Sequence, residues 1–370
     1  MEVVMNLRTI NTYIVTLLLV LSPLSAKTDY EVLNQPAALE KALVLSNTGV
    51  LKQKENGFVY LDISNQFITA VIPLLDHEGT INARPTAARS IGAHISVFDE
   101  GEKITPKELG NSFSFSVKEI RNFTLHTRDG LKKLWVIAVE SPELEQLREK
   151  YGVSPKLKGY DYHITLGKQM PKAPDGWEKI STLSELNFSN EPTEGLSTKG
   201  DFVVVPNSKI LKIAAKIDQV ARLTLKSNGY VYLDVNDQFV DQIAPHLPLQ
   251  GSFEPVATGS KKTGAHISVF HEDETIGKEI WNFKEIGQWF TFTVKELRYI
   301  DRKTANGPQR LWVLAVDAPG LERLRKQYGL KPKMQGHDFH ITLGNEALEN
   351  TMQVDDPMQV DDAMQAQNAA

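Results

Sequence analysis

The sequence predicts an α+β protein of two tandem domains, each bilobal, with strands and flanking helices around a central cleft. Three observations lead there. One pattern spanning more than 100 residues occurs twice along the 370-residue chain, strand–helix–strand alternation occurs twice within each copy, and every strand that follows a helix carries a His.

A repeat of this kind organises a chain and is sought first. Gly57-Phe58-Val59-Tyr60-Leu61-Asp62 recurs as Gly229-Tyr230-Val231-Tyr232-Leu233-Asp234, and Gly92-Ala93-His94-Ile95-Ser96-Val97-Phe98 as Gly264-Ala265-His266-Ile267-Ser268-Val269-Phe270. Val117-Lys118-Glu119-Ile120-Arg121 matches Val294-Lys295-Glu296-Leu297-Arg298, and Asp161-Tyr162-His163-Ile164-Thr165-Leu166-Gly167 matches Asp338-Phe339-His340-Ile341-Thr342-Leu343-Gly344. The offset is 172 residues at the first His (266 − 94) and 177 at the second (340 − 163). Five extra residues therefore fall between Phe270 and Val294, in a polar stretch that reads as a loop. The unit is a whole duplicated domain, too long for a solenoid repeat.

The same elements follow in order in each copy. Residues 59–63 read as a strand, and Asn65 is placed to cap a helix carrying Phe67, Ile68, Val71 and Ile72 on one side. Residues 93–98 and 113–117 alternate apolar and polar and read as strands. Residues 134–139 read as a buried strand. Pro142 opens a helix whose Leu144, Leu147 and Tyr151 share a face, since proline suits a first turn. Residues 162–166 are the last strand. The expected organisation is a leader at residues 1–26, a first domain at 27–168, a linker at 169–200, a second domain at 201–346 and a tail at 347–370. The linker holds Pro171, Pro174, Gly176, Pro192 and Gly195 among polar residues. The tail nearly repeats Val354-Asp355-Asp356-Pro357-Met358-Gln359 and reads as disordered and acidic.

The leader reads as a secretory signal, which predicts a periplasmic or secreted protein. Arg8 precedes an apolar run at residues 13–21, and Ala26 offers a small residue for cleavage, although Glu2 and Leu24 depart from the usual pattern. The apolar run is shorter than the roughly 20 residues a membrane span needs, so no stable membrane insertion is expected after cleavage. A formal net charge of −5 argues against a duplex-DNA binder. With no cysteine, disulfides, zinc–thiolate sites and thiol nucleophiles are excluded.

The candidate chemistry lies on the His strands. Residues i and i+2 of a strand share a face, so His94 projects with Ser96, and His163 with Thr165. The second copy offers His266 with Ser268 and His340 with Thr342. Two facing lobes would bring two imidazoles and two hydroxyls to one cleft. That set suits phosphodiester hydrolysis without a metal or other cofactor. One neutral His takes a proton from water, the opposed protonated His gives one to the leaving oxygen, and the hydroxyls hold the non-bridging oxygens. Duplication explains the likeness between copies but not why both strands of one copy carry His-Ile-Ser/Thr. Asp161 and Asp338 lie two residues before the second His and are candidates to orient it. Arg121 and Arg298 are candidates to reach phosphate. Tyr60 and Tyr232 are candidates to line the cleft or to fill a core, with core the favoured reading, and Trp135 and Trp312 are read as core residues. His271 and His337 occur only in the second copy, where Asp99 and Tyr160 stand in the first, and His77, His126 and His246 follow no pattern. His-x-Ser/Thr is not a recurrent metal-ligand spacing, so no metal site is expected.

These four motifs, His94-Ile95-Ser96-Val97 with His163-Ile164-Thr165-Leu166 and His266-Ile267-Ser268-Val269 with His340-Ile341-Thr342-Leu343, make the chain resemble the 2H phosphoesterase superfamily, which includes the 2′-5′ RNA ligase-like and cyclic phosphodiesterase branches. The resemblance covers about residues 50–168 and 222–346. It implies two four-stranded antiparallel lobes around a cleft in each domain and metal-independent hydrolysis of 2′,3′-cyclic or other 2′-linked phosphates. The expected partner is a nucleotide or short RNA-type phosphodiester. The tandem arrangement and the leader depart from the usual single cytoplasmic domain and put the usual RNA-processing substrates in question. Two other readings stand beside hydrolysis: an exported module that binds phosphate or nucleotide without turnover, and a secreted effector whose tail meets a protein partner.

Overall fold

The structure is a computed structural model and describes residues 30–348 except 88–89, 128–129, 181–194, 198–201, 260–262 and 306. The leader, nearly all of the tail and the middle of the linker lie outside the described residues. The first copy runs β1 (Tyr30–Leu33), α1 (Pro36–Leu43), β2 (Thr48–Gln53), β3 (Val59–Asp62), α2 (Gln66–Thr69), β4 (Thr80–Ala83), β5 (His94–Phe98), β6 (Ser112–Ser114), β7 (Ser116–Thr127), β8 (Gly130–Glu140), α3 (Pro142–Lys150) and β9 (His163–Met170). The second runs β10 (Val203–Val205), α4 (Ser208–Ala214), β11 (Val220–Leu225), β12 (Val231–Asp234), α5 (Gln238–Asp241), β13 (Phe253–Pro255), β14 (His266–Phe270), α6 (Glu272–Gly277), β15 (Trp289–Thr291), β16 (Thr293–Thr304), β17 (Gly307–Asp317), α7 (Pro319–Gln327) and β18 (His340–Ala347).

Each copy builds an antiparallel sheet of nine strands. In the first the order is β1-β7-β8-β9-β5-β3-β2-β6, with β4 added on β9, and the second repeats it as β10-β16-β17-β18-β14-β12-β11-β15 with β13 on β18. From either edge one meets an edge strand, a hairpin and a His strand, so the order is a palindrome about the β9–β5 contact. That contact is a single ladder pair, Ile95 with Ile164, and Ile267 with Ile341 in the second copy. The two expected lobes are present, fused edge to edge along their His strands.

All four of these isoleucines are fully buried. Burying each contributes about 1.5–3 kcal/mol. Because side chains alternate across a strand, fixing Ile95 and Ile164 on the core face sends His94, Ser96, His163 and Thr165 to the other. Phe67, Phe98, Phe115, Leu144 and Trp135 fill the core beneath.

Several elements differ from the sequence expectation. Residues 113–117 are not one strand. Ser112–Ser114 pairs β2 in one lobe, Ser116–Thr127 pairs β8 in the other, and buried Phe115 marks the crossing between them. The helix expected after Asn65 is a single turn followed by a 3₁₀ turn at Ile72–Leu74, broken by Pro73. Asn65 does not cap it with its side chain. Its Oδ1 instead accepts the Ala93 N–H at 2.9 Å and pins the turn that leads into β5. Asp237 does the same for Ala265 at 2.8 Å. Gly92 sits in this turn at φ +69°, where a Cβ would lie 2.2 Å from Asn65 Oδ1, so glycine is required there.

The five-residue excess of the second copy lies in a region that holds the capped helix α6, where a loop was expected. His271 accepts from the Asp273 N–H, and Glu274 returns to the His271 N–H, a capping box. This segment docks on the first copy. Asp273 accepts the Leu131 N–H at 2.6 Å, Lys133 pairs with Glu279, and Leu131, Ile276 and Trp281 form a small apolar cluster.

One buried cation in each copy anchors the first His strand. Arg148 of α3 is 1% exposed. It donates to the Val97 carbonyl of β5 and to the Ser154 carbonyl at 2.7 Å, and grips Glu102 with two bonds of 2.7 and 3.0 Å. Arg325 repeats the arrangement with Val269, Lys331 and Glu274. Arg148 is buried while Glu102 keeps 23% of its side chain exposed, so removing the guanidinium leaves two carbonyls and a partly solvated carboxylate without it and costs about 1–3 kcal/mol. Arg148→Met is therefore expected to lower the stability of the first copy by that amount in chemical denaturation. A loss below about 1 kcal/mol would place the anchoring elsewhere.

Candidate active site

The seam fixes the site. The antiparallel register around Ile95–Ile164 sets His94 diagonally from His163, with Ser96 beside His163 and Thr165 beside His94. Ser96 and His163 line one cleft together with Leu157, Lys158, Asp161 and Tyr162. On the outer flank of each His strand the ladder sets Asp62 opposite His94 and Tyr60 opposite Ser96, and Ala138 opposite His163. The second copy gives Asp234, Tyr232 and Ala315 at those places.

Each imidazole is held the same way. Its Nδ1 meets the main-chain carbonyl two residues earlier: His94 to Gly92 at 3.0 Å, His163 to Asp161 at 3.0 Å, His266 to Gly264 at 2.9 Å and His340 to Asp338 at 3.0 Å. A carbonyl only accepts, so Nδ1 carries the proton. Nε2 is left with its lone pair, the form a general base needs.

Burial favours the neutral ring. His94 is pushed down to about 4, by burial first and then by the nearby charges of Arg84, His163 and Lys54, against the Gly92 carbonyl. Burial lowers His163, with Arg121 and Arg84 adding to it. Burial also lowers His266, helped by Lys226, and His340, helped by His337 and His266.

The proposed orienting aspartates are placed differently from expectation. The Asp161 carboxylate is engaged by Lys156 Nζ at 2.6 Å and Arg121 Nη1 at 2.9 Å, which hold it below the usual carboxylate range. It is the Asp161 main-chain carbonyl, not the carboxylate, that contacts His163. For Asp338, burial acts against the charge but is outweighed by Lys333, the Ser197 amide and Arg298. Arg121 and Arg298 spend their donors on Glu119 with Asp161 and on Glu296 with Asp338. They brace the strand end beneath the second His.

Tyr60 and Tyr232, candidates for core or cleft with core favoured, stand edge-on against the first His of each pair, with ring centroids 5.5 Å from His94 and 5.8 Å from His266. Phe58 stacks on Tyr60 at 5.9 Å, and Tyr230 on Tyr232 at 5.8 Å. Trp135 and Trp312 are core residues, their indole N–H groups bonded to Gln169 and Glu346. His271 is the α6 cap, and His337 faces Phe202, a linker-side residue whose ring also meets His340 at 6.2 Å. Among the described residues, His77 bonds the Glu78 carbonyl and belongs to neither site. His126 and His246 line neither cleft. Among the described residues no group of three or more His, Asp or Glu is arranged to hold a metal ion.

The chain matches the model of the 2H-SAK family, described as Swiss Army Knife, 2H phosphoesterase domain, at residues 59–172 and 231–349. These two segments make up more than half of the chain and each contains one complete His pair. The chain belongs to the 2H phosphoesterases, as a tandem member with two antiparallel α+β domains. Comparison with curated proteins found no match. Comparison with solved structures found none either.

The shared Nδ1 contact has a spectroscopic consequence. Long-range proton–nitrogen NMR at pH 7 is expected to show all four imidazoles in the Nδ1–H form, with His94 staying neutral until the pH nears 4. An Nε2–H form at any of the four would contradict the carbonyl contact there.

Proposed function

We propose that each copy is a phosphodiesterase site that hydrolyses 2′,3′-cyclic or other 2′-linked phosphodiesters of nucleotides or short oligonucleotides by His/His acid–base catalysis. The observation that carries this reading is the seam register, which puts two Nδ1–H imidazoles and two hydroxyls on one face of one sheet. Family membership supports the broader class, hydrolysis of phosphoester bonds. In the reaction one Nε2 accepts a proton from water as the water oxygen bonds to phosphorus. The P–O bond to the leaving oxygen breaks, and the opposed imidazolium returns a proton to that oxygen. Ser96 with Thr165, and Ser268 with Thr342, donate to the non-bridging oxygens. Each imidazole contributes about 10²–10⁴ in rate, and the hydroxyls stabilise charge where it develops. Asp161 and Asp338 act at one remove, by holding the strand end whose carbonyl orients the second His.

The test is a product assay by phosphorus NMR in chelator, with 2′,3′-cyclic nucleotides and 2′-5′ oligoadenylate. His94→Ala with His163→Ala should remove the first site's share of turnover, and His266→Ala with His340→Ala the second's. No conversion with tight binding retained would replace hydrolysis by capture of the ester.

The pH profile follows from the shifts. The productive pair needs one neutral and one protonated imidazole. Burial lowers all four, so the singly protonated pair forms below the ordinary histidine value of about 6.5. kcat/KM should peak on the acid side of that value and fall as pH rises and the acid is lost. A peak above pH 7 would require a different proton donor.

A further inference from the structure

The two clefts share their His pairs but not their charges. In the first copy β4 pairs with β9, Ala83 opposite Gly167, and the chain continues with the Arg84 N–H on the Leu166 carbonyl at 2.8 Å. In the second copy β13 pairs with β18 in the same way, and Val256 donates to the Leu343 carbonyl at 2.9 Å. Arg84 and Val256 thus occupy one backbone position, bonded to the leucine that follows the Thr of the second His strand. Pro85 follows Arg84 and holds it extended.

Ile81 packs in the core two residues before Ala83, so Arg84 falls on the opposite face of this short strand, and its charge opposes protonation of both His94 and His163. Burial, with no carboxylate to offset it, depresses its own value. Among the described residues no hydrogen bond or ion pair engages its side chain. A half-buried guanidinium with no carboxylate partner is chemically suited to receive an anion.

Of two neighbouring differences, one also removes charge from the second cleft and the other changes only its hydrogen bonding. Lys158 lines the first cleft with Ser96 and His163, where Gln335 stands in the second copy. Lys158 is paired with Asp99 at 2.7 Å, whereas the half-buried Arg84 side chain has no such partner among the described residues. Phe58 is replaced by Tyr230, whose hydroxyl is hydrogen-bonded to Ser268. The lysine at 54 and 226 is kept in both copies and acts on the first His of each pair, while the matched Arg121 and Arg298 are ion-paired with carboxylates beneath the second.

Building on the phosphodiesterase reading, we propose that Arg84 is the phosphate-binding cation of the first site and that the two sites have divided their substrates by charge. The first takes a phosphodiester that carries a further phosphate. The second, with Val256 and Gln335, takes a singly charged ester.

The test uses the full chain in two backgrounds, one with only the first site intact (His266→Ala with His340→Ala) and one with only the second (His94→Ala with His163→Ala). Adenosine 2′,3′-cyclic phosphate is compared with the same compound bearing a 5′-phosphate. The first-site background should prefer the 5′-phosphorylated ester by at least about tenfold in kcat/KM, a modest share of what a well-placed cation supplies. Arg84→Val should lower its turnover by roughly 10²-fold and abolish the preference. The second-site background should show no such preference, and Val256→Arg should create one. An unchanged first site in Arg84→Val would overturn the proposal. Binding of inorganic phosphate, followed by the imidazole NMR signals of His94 and His163, separates this outcome from failure of the hydrolysis reading. If neither ester turns over, loss of phosphate binding in Arg84→Val still upholds the role of Arg84, whereas equal binding, or none in the parent chain, rejects it.

Discussion

One residue pair holds each domain together as a site. The lobes meet through Ile95 and Ile164, or Ile267 and Ile341, and among the described residues these are the ladder pairs that join the two His strands. The contact is small, but it sits where register has the most leverage. Side chains alternate with a period of two, so a slip of one residue in either strand would turn its His into the core and its isoleucine to the cleft. The buried isoleucines fix the phase, and the His, Ser and Thr positions follow. The palindromic strand order then supplies the symmetry by which two equivalent strands each bring an imidazole and a hydroxyl to the same face of the sheet.

Much of this was legible in the sequence because it rests on local periodicity. The duplication, the two His strands per copy, the Pro142 helix and the Trp cores at 135 and 312 each follow from spacing and residue type. The parts that escaped depend on distant contacts. The alternation at 113–117 is real, yet Phe115 is a pivot between lobes, and no local signal separates a strand from a crossing. Asn65 has the right chemistry for a cap, but the Ala93 N–H, 28 residues away, outcompetes the helix end for its oxygen. Arg148 and Arg325 lie on helix faces that look solvated, and only the fold reveals the carbonyl of the His strand beneath them. Arg84 carried no motif, because its partner strand sits more than 80 residues further on.

The second copy is not a spare of the first. Its extra residues lie in the stretch that builds α6, which receives the β7–β8 hairpin end of the first copy through Asp273, Glu279 and Trp281. The same copy ties its linker to the strand end beneath His340, Ser197 to Asp338 and Gly195 to Lys333. Thus the residues by which the copies differ do two separate jobs, joining the domains on one side and altering the polarity of a cleft on the other.

The carbonyl that holds each imidazole belongs to the same short segment as the His itself. No remote carboxylate has to be brought into line for the ring to present its lone pair. The aligned imidazole is therefore a self-contained cassette: a turn, a His, a core-seeking aliphatic residue and a hydroxyl. Any event that copies the segment copies its working orientation with it, wherever a sheet edge offers a place for the isoleucine. A chain with four such cassettes is what that portability allows.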